Sequence, residues 1–234
     1  MSTYTSSATA ERIALLRWIG GLGAVTAEAL AVRDDSNLAA ARARLGAAQR
    51  AGQLARRRPL TGHPSLYTLT ARGARAAGVA SGGGSRVGPQ SALHLIACSA
   101  VAASLGSCYP DHRVLGERDL CRYECERGRP LASASLGVAD GRPVLHRPDL
   151  VLLAADRSGE LPVAVEVELA VKAPRRLAAI CRAWARCREV AGVIYIAGEQ
   201  AQRPLERAIE RAGAGDRVVV VSLEVAVRTV AARA

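Results

Sequence analysis

The sequence predicts an α+β protein in two parts: a small helical module closed by a β-hairpin, then a larger α/β part built on a mixed sheet. Three observations predict this. The run Ser81-Gly82-Gly83-Gly84-Ser85 has no periodicity and reads as a flexible joint. Before it, apolar residues recur at helical spacing and then give way to one short hairpin pattern. After it, Val193-Ile194-Tyr195-Ile196 and Val218-Val219-Val220-Val221 read as buried strands between helical stretches, as in a sheet with helices on its faces. The expected boundaries are residues 1–80, a linker at 81–88, and 89–234.

In the first part, Ile13 with Leu16 and Leu15 with Ile19 place a helix over 9–19. Thr26 opens a short second helix that runs through Val32. Asp35 or Ser36 can cap a third, which runs to about Ala51 and ends at Gly52. Leu54 to Leu60, a turn at Thr61-Gly62-His63-Pro64, and Leu66 to Thr70 form a hairpin, followed by a short helix. Three helices and a hairpin resemble a winged helix-turn-helix. Its third helix would present Arg42, Arg44 and Arg50 to DNA, and Arg56, Arg57 and Arg58 on the wing would hold phosphates.

Charge supports this. The first 80 residues carry eleven arginines against four acids, Glu11, Glu28, Asp34 and Asp35. The whole chain of 234 residues has a net charge of +11 and a pI near 10.2, which favours an anionic partner, nucleic acid before membrane. Aromatic residues for base stacking are scarce, Tyr67 being one candidate, so duplex DNA is the expected partner rather than a single strand. Half the chain is hydrophobic, enough for a core of Ala, Val and Leu with no Phe. There is no uninterrupted run of 18 apolar residues and no signal-peptide pattern, which predicts a soluble, cytoplasmic protein. The six cysteines (Cys98, Cys108, Cys121, Cys125, Cys181, Cys187) lack the spacing of a disulfide scaffold or zinc ribbon. They are expected to be small buried hydrophobes, with metal or redox use as the alternative.

The second part reads as helices at 89–106 and 116–128, strands near 132–137, 144–154 and 162–169, a helix at 173–190, a strand at 192–197, a helix at 199–213 and a final strand at 216–223. Residues 163–169 alternate strictly. Val163, Val165, Val167 and Leu169 form an apolar core face, and alternation leaves Glu166 and Glu168 on the other face, about 7 Å apart. If the strands flanking Asp156-Arg157-Ser158-Gly159-Glu160 pair about its centre, Leu152 faces Val163, Leu150 faces Val165 and Asp149 faces Glu166, with opposed Cβ atoms about 5 Å apart. Facing carboxylates need a divalent cation or a basic side chain between them. The same register would pair Glu168 with Arg147. Lys172, the only lysine among 32 basic residues, could neutralise Asp149 or Glu166.

Pro148-Asp149, Glu166-Val167-Glu168 and an α-β-β-β-α-β order resemble the PD-(D/E)xK nuclease superfamily. The resemblance implies that Asp149 and Glu166 bind Mg²⁺ or Mn²⁺, joined by the upstream acid Glu117. Glu168 stands where that family usually has its lysine, a role that Lys172 on the following helix approximately fits. The order winged helix, His94, Glu117-Arg118-Asp119-Leu120, His146-Arg147-Pro148-Asp149, Val165-Glu166-Val167-Glu168-Leu169, Lys172 and Arg176 is similar to the plasmid replication-relaxation proteins of actinobacteria, over most of residues 9–223. That implies a DNA-binding role on mobile elements.

The chemistry so implied is metal-assisted phosphodiester hydrolysis. The ion acidifies a bound water, with the Val167 carbonyl as a further ligand and Lys172 or Glu168 positioning the water. Arg175 and Arg176 at the start of the next helix would grip the flanking phosphate, or form a solvated face. His146 is expected to pack or hydrogen-bond locally, His94 to be a core residue, His63 to lie in the wing turn and His112 in a polar loop. Two functions fit: a Mg²⁺-dependent DNA endonuclease or nickase, or an inactive DNA-binding regulator of transcription or replication. A homodimer suits either, on two half-sites or two strands.

Overall fold

The computed structural model describes residues 3–79, 87–155 and 159–231. The chain divides into two compact units between Ala103 and Ser104. Unit 1 begins with α1 (Thr3–Leu22), α2 (Ala27–Arg33) and α3 (Leu38–Arg50), followed by the strands β1 (Leu54–Arg57) and β2 (Leu66–Leu69) and the helix α4 (Ala71–Ala77). The predicted elements are present, and α1 starts earlier than the apolar spacing indicated. Leu15, Leu16 and Ile19 from α1 close over Leu30, Ala41, Leu45, Leu54 and Tyr67. Tyr67 is therefore a core side chain, not an exposed stacking platform. Its backbone exchanges two hydrogen bonds with Val25 (2.8 and 3.1 Å), which ties the hairpin to the turn before α2.

Thr26 caps α2 as expected, its hydroxyl accepting from Ala29 N at 3.1 Å. The cap of α3 is Asn37, however, not Asp35 or Ser36. Asp35 sits at φ 46°, in the left-handed region that ends α2, so the next helix begins only after it. Thr70 caps α4 through Gly73 N. Gly73 packs against the backbone of Gln53, just before β1, and against Leu69 of β2. A Cβ there would lie 2.9 Å from the Gln53 carbonyl carbon, still closer to its oxygen, and 3.2 Å from Leu69 Cδ2. Gly73→Ala therefore forces backbone apart and is expected to destabilise unit 1 by about 3 kcal/mol, the upper end for overpacking. Thermal unfolding checks this, and an unchanged midpoint would refute it.

The helix α5 (Pro89–Cys108) crosses the division between units. The packing boundary thus lies beyond the expected linker, of which residues 81–86 are outside the described residues. The reason is apolar burial. Ala92, flanked by Val87, Leu95 and Ile96, packs with Ala24 and Leu66 of unit 1. The window Ser91–Cys108 is the one helical segment among the described residues long and apolar enough, by length and composition, to cross a membrane. Serines and His94 interrupt it, so no wholly apolar run is present.

Unit 2 continues with β3 (His112–Gly116), α6 (Glu117–Arg127), β4 (Ala134–Ala139), β5 (Arg142–His146), β6 (Leu150–Ala154) and β7 (Val163–Glu168). It closes with α7 (Pro174–Arg186), β8 (Gly192–Ala197), α8 (Glu199–Ala212), β9 (Val218–Ser222) and α9 (Leu223–Ala231). The five-stranded sheet has the order β3-β6-β7-β8-β9. Its first three strands are antiparallel and β8 and β9 continue parallel to β7, so the predicted mixed sheet is present. The β6–β7 register is the expected one, Leu152 facing Val163 and Leu150 facing Val165. Residues 156–158 of the turn lie outside the described residues.

Two strand assignments are corrected. The stretch near 132–137 does not enter the main sheet. It forms β4, which pairs only with β5 across a two-residue Asp140-Gly141 turn with both φ positive (50° and 72°). The edge strand beside β6 is instead β3, whose polar start, His112-Arg113, reads as loop. The predicted single strand 144–154 is two, broken at Arg147-Pro148-Asp149, because proline has no N–H to give a ladder.

Candidate functional site

The break between β5 and β6 builds the site. Arg147 turns out of the strand and its Nε donates to Glu124 Oε2 at 3.1 Å. Glu124, buried in α6, accepts at Oε1 from Leu131 N (3.0 Å) and Ser133 Oγ (2.6 Å), with Ala132 N at 3.4 Å. One carboxylate thus fastens the α6–β4 connection and the β5–β6 joint together. The next residues, Pro148 and Asp149, are delivered to the end of β6 beside β7, where Asp149 Oδ2 accepts from Val167 N at 2.8 Å. Val167 thus meets Asp149 through its N–H.

The valine face of β7 is core, as expected, and the glutamate face is buried as well. Parallel pairing sets Ala164, Glu166 and Glu168 beside Val193, Tyr195 and Ala197. These join a core that contains Leu177, Ile180, Cys181 and Trp184 of α7. Glu166, 3 % exposed, is met at Oε1 by His146 Nε2 (2.6 Å) and by the Trp184 indole N–H (3.2 Å). Burial pushes its carboxyl pKa above the ordinary carboxylate range. The hydrogen bond and charge of His146 oppose that shift, the negative charge of Asp149 adds to it, and Lys172 opposes it.

The predicted pairing of Glu168 with Arg147 does not occur. Arg147 goes to Glu124, and Glu168 Oε2 accepts from Lys172 Nζ one helical turn's length along the chain. Lys172 therefore pairs with Glu168 and not with Asp149 or Glu166, the partners expected for it. Glu117 follows Gly116, which pairs with Leu150, so it begins α6 at the sheet end where Asp149 stands, and it is exposed. Trp184 is the member that sequence reasoning missed, while His146, expected to pack or hydrogen-bond locally, meets Glu166 and lies edge-on to Trp184. Trp184 carried a signal, because an indole N–H on an apolar helix stripe needs a buried acceptor.

Burial pushes the Cys181 and Cys187 thiols up to about 11, so both are protonated at neutral pH and behave as core hydrophobes. Burial also raises the Tyr195 phenol, aided by the Glu166 charge, which keeps it neutral.

In unit 1, Arg50, Arg56, Arg57 and Arg58 are exposed. Arg42 is exposed but lies 3.6 Å from Glu28, and Arg44 is tied to Asp34 at the end of α2. Arg42, Arg56, Arg58 and His63 line one cavity of about 430 Å³ between α3 and the hairpin. Arg57 lies on the alternate strand face. In unit 2, Arg175 and Arg176 are both exposed in the first turn of α7.

No family model, curated protein or solved structure matches the chain, so the geometry alone carries the functional reading.

Carboxylate oxygens are donors of the kind that hard divalent cations take. Asp149, Glu166 and Glu168 offer carboxylate oxygens, and Glu166 is a buried acid whose proton is favoured partly by the charge of Asp149. A cation between them would let both ionise. Each carboxylate uses one oxygen to hold a protein partner, which fixes its rotation.

Proposed function

We propose that this protein binds duplex DNA and cleaves a phosphodiester bond at the Asp149–Glu166–Glu168–Lys172 centre with Mg²⁺ or Mn²⁺. In this reading unit 1 acts as a winged helix and unit 2 as a PD-(D/E)xK-like nuclease domain of the replication-relaxation type, working in the cytoplasm. The observation that carries it is the convergence of three acids and the chain's only lysine where β6 and β7 meet. Asp149 and Glu166 hold the cation, with Glu117 as an outer acid at the same end of the sheet. When bound, the cation supplies Lewis-acid stabilisation of the phosphoryl oxygens and a more acidic water. Val167 N–H, His146 and Trp184 hold the carboxylates in place. Lys172 keeps a positive charge where the scissile phosphate is negative, and Glu168 beside it orients the attacking water. Exposed arginines of α3 and the hairpin supply the phosphate contacts that position the duplex.

The experiment is incubation with supercoiled plasmid in Mg²⁺, Mn²⁺ or EDTA. Metal-dependent nicking or linearisation is expected, and intact plasmid under every condition overturns cleavage. A second reading, a DNA-binding regulator on a silent nuclease-like unit, is favoured by one observation: His146, Trp184, Val167 N–H and Lys172 already satisfy one oxygen of each acid. Binding of the plasmid without cleavage would establish it.

Metal binding has a measurable pH signature. The folded, metal-free protein holds the Glu166 proton to higher pH than the unfolded chain does. Its contribution to stability is therefore present at low pH and lost as pH rises above the unfolded carboxyl range. A cation must displace that proton, so its stabilising effect grows with pH. At one fixed Mn²⁺ concentration, set to 100 times its Kd at pH 8 and so worth about 2.7 kcal/mol there, the rise in Tm is expected to be larger at pH 8 than at pH 6. An equal rise at both pH values would place the ion elsewhere.

A further inference from the structure

We propose that the groove between α7 and α8 lined by Arg175, Arg182 and Arg211 is a phosphate track for a DNA strand that leads to the acidic centre. The proposal rests on the function just inferred and adds a binding site to it. Arg175, Ala178 and Arg182 stand at i, i+3 and i+7, one face of α7, opposite the buried face of Leu177, Ile180, Cys181 and Trp184. Arg211 reaches the same groove from the last turn of α8. The groove has a volume of about 370 Å³ and is completed by Pro174 and Ala178, with no carboxylate in its lining.

The absence of acid is what points to a ligand. Arg42, Arg44, Arg122 and Arg147 each have a carboxylate partner. Among the described residues, no salt bridge neutralises Arg175, Arg182 or Arg211. Three guanidinium groups on one concave surface repel one another unless an anion lies between them. The start of α7 adds to this potential. Its N-cap is Ala173, which makes no side-chain cap, and its first turn holds no acid. All three arginines are exposed, so water solvates them in the free protein and a polyanion can reach them.

Geometry selects a strand over a lone anion. From Arg175 to Arg182 the helix rises about 10 Å, and phosphates along one strand of a duplex advance about 3.4 Å each. That advance is measured along the duplex axis, and successive phosphates along the strand itself lie farther apart, so the arginine face is long enough for about two phosphates. The track begins three residues after Lys172, so a strand on it runs toward the Lys172–Glu168 pair. Arg176, a quarter turn away, does not line the groove.

The test is fluorescence anisotropy of the full chain on a 20-base-pair duplex between 50 and 200 mM salt, comparing wild type with R182A/R211A, R182K/R211K and R56A/R57A/R58A. Each lost phosphate contact lowers the slope of log affinity against log salt by about 0.9. R182A/R211A is expected to lower it by about 2 and to weaken binding on any sequence, while R182K/R211K keeps most of the slope. If wild type binds and R182A/R211A keeps both slope and affinity, the track is overturned while DNA binding stands. Equal losses in R182A/R211A and R182K/R211K also overturn it, because charge is then not what matters. If wild type binds no DNA at 50 mM salt, the proposed function falls and the track with it. Tm measured for every variant separates these results from misfolding.

Discussion

Asp149→Ala is expected to lower metal-dependent plasmid cleavage by about a thousandfold or more, the loss of about 4 kcal/mol of transition-state stabilisation from a disabled cation site. In the proposed reading Asp149 is the acid that substrate can reach, because it is partly exposed while Glu166 and Glu168 are buried. Its carboxylate also holds Val167 N–H, so the variant leaves one β7 donor unpaired, costing about 1–3 kcal/mol of stability. Asp149→Asn keeps an oxygen for that N–H and serves as the control. Both variants should lose cleavage, and Asp149→Asn should keep the wild-type Tm in the absence of metal. DNA affinity should be retained in both, because the arginines of α3, the hairpin and α7 are untouched. Plasmid cut at the wild-type rate by either variant would remove Asp149 from the mechanism.

Glu124→Ala is expected to cost about 3–5 kcal/mol, the range for breaking a buried charge pair by removing one partner. Glu124 is 5 % exposed and satisfies Arg147 Nε, Ser133 Oγ and the Leu131 N–H. Its removal strands all of these and loosens the joint that delivers Pro148-Asp149. Cleavage should fall with stability even though Glu124 touches neither substrate nor metal. Glu124→Gln keeps an acceptor but removes the charge that holds Arg147, and should fall between. Thermal unfolding decides this. A Tm of Glu124→Ala equal to wild type would mean that the network holds nothing in place.

Much of the fold was legible because its signals are local. Strand alternation in Val163–Glu168, the polar turn before it and the apolar pairs Leu150–Leu152 set the β6–β7 register, and the structure pairs the same residues. Thr26, Gly52 and the valine runs marked their elements for the same reason. β3 was not legible, because it begins His112-Arg113 and takes its strand character from pairing with β6, about 40 residues later. The break at Pro148 was visible in the residue itself, but the long apolar stretch around it outweighed the proline.

The acidic centre divides along the same line. That Asp149, Glu166, Glu168 and Lys172 share one region followed from the sequence alone, since register and spacing place them there. Which cation meets which carboxylate did not follow, because a chain with 31 arginines offers many equally good charge partners. Arg147 chose Glu124, 23 residues away, over Glu168 across the strand. Glu166 was closed by Trp184 from α7 and by His146 from the broken strand. Those choices depend on where α6 and α7 pack, and packing is set by the buried apolar faces of all the elements together.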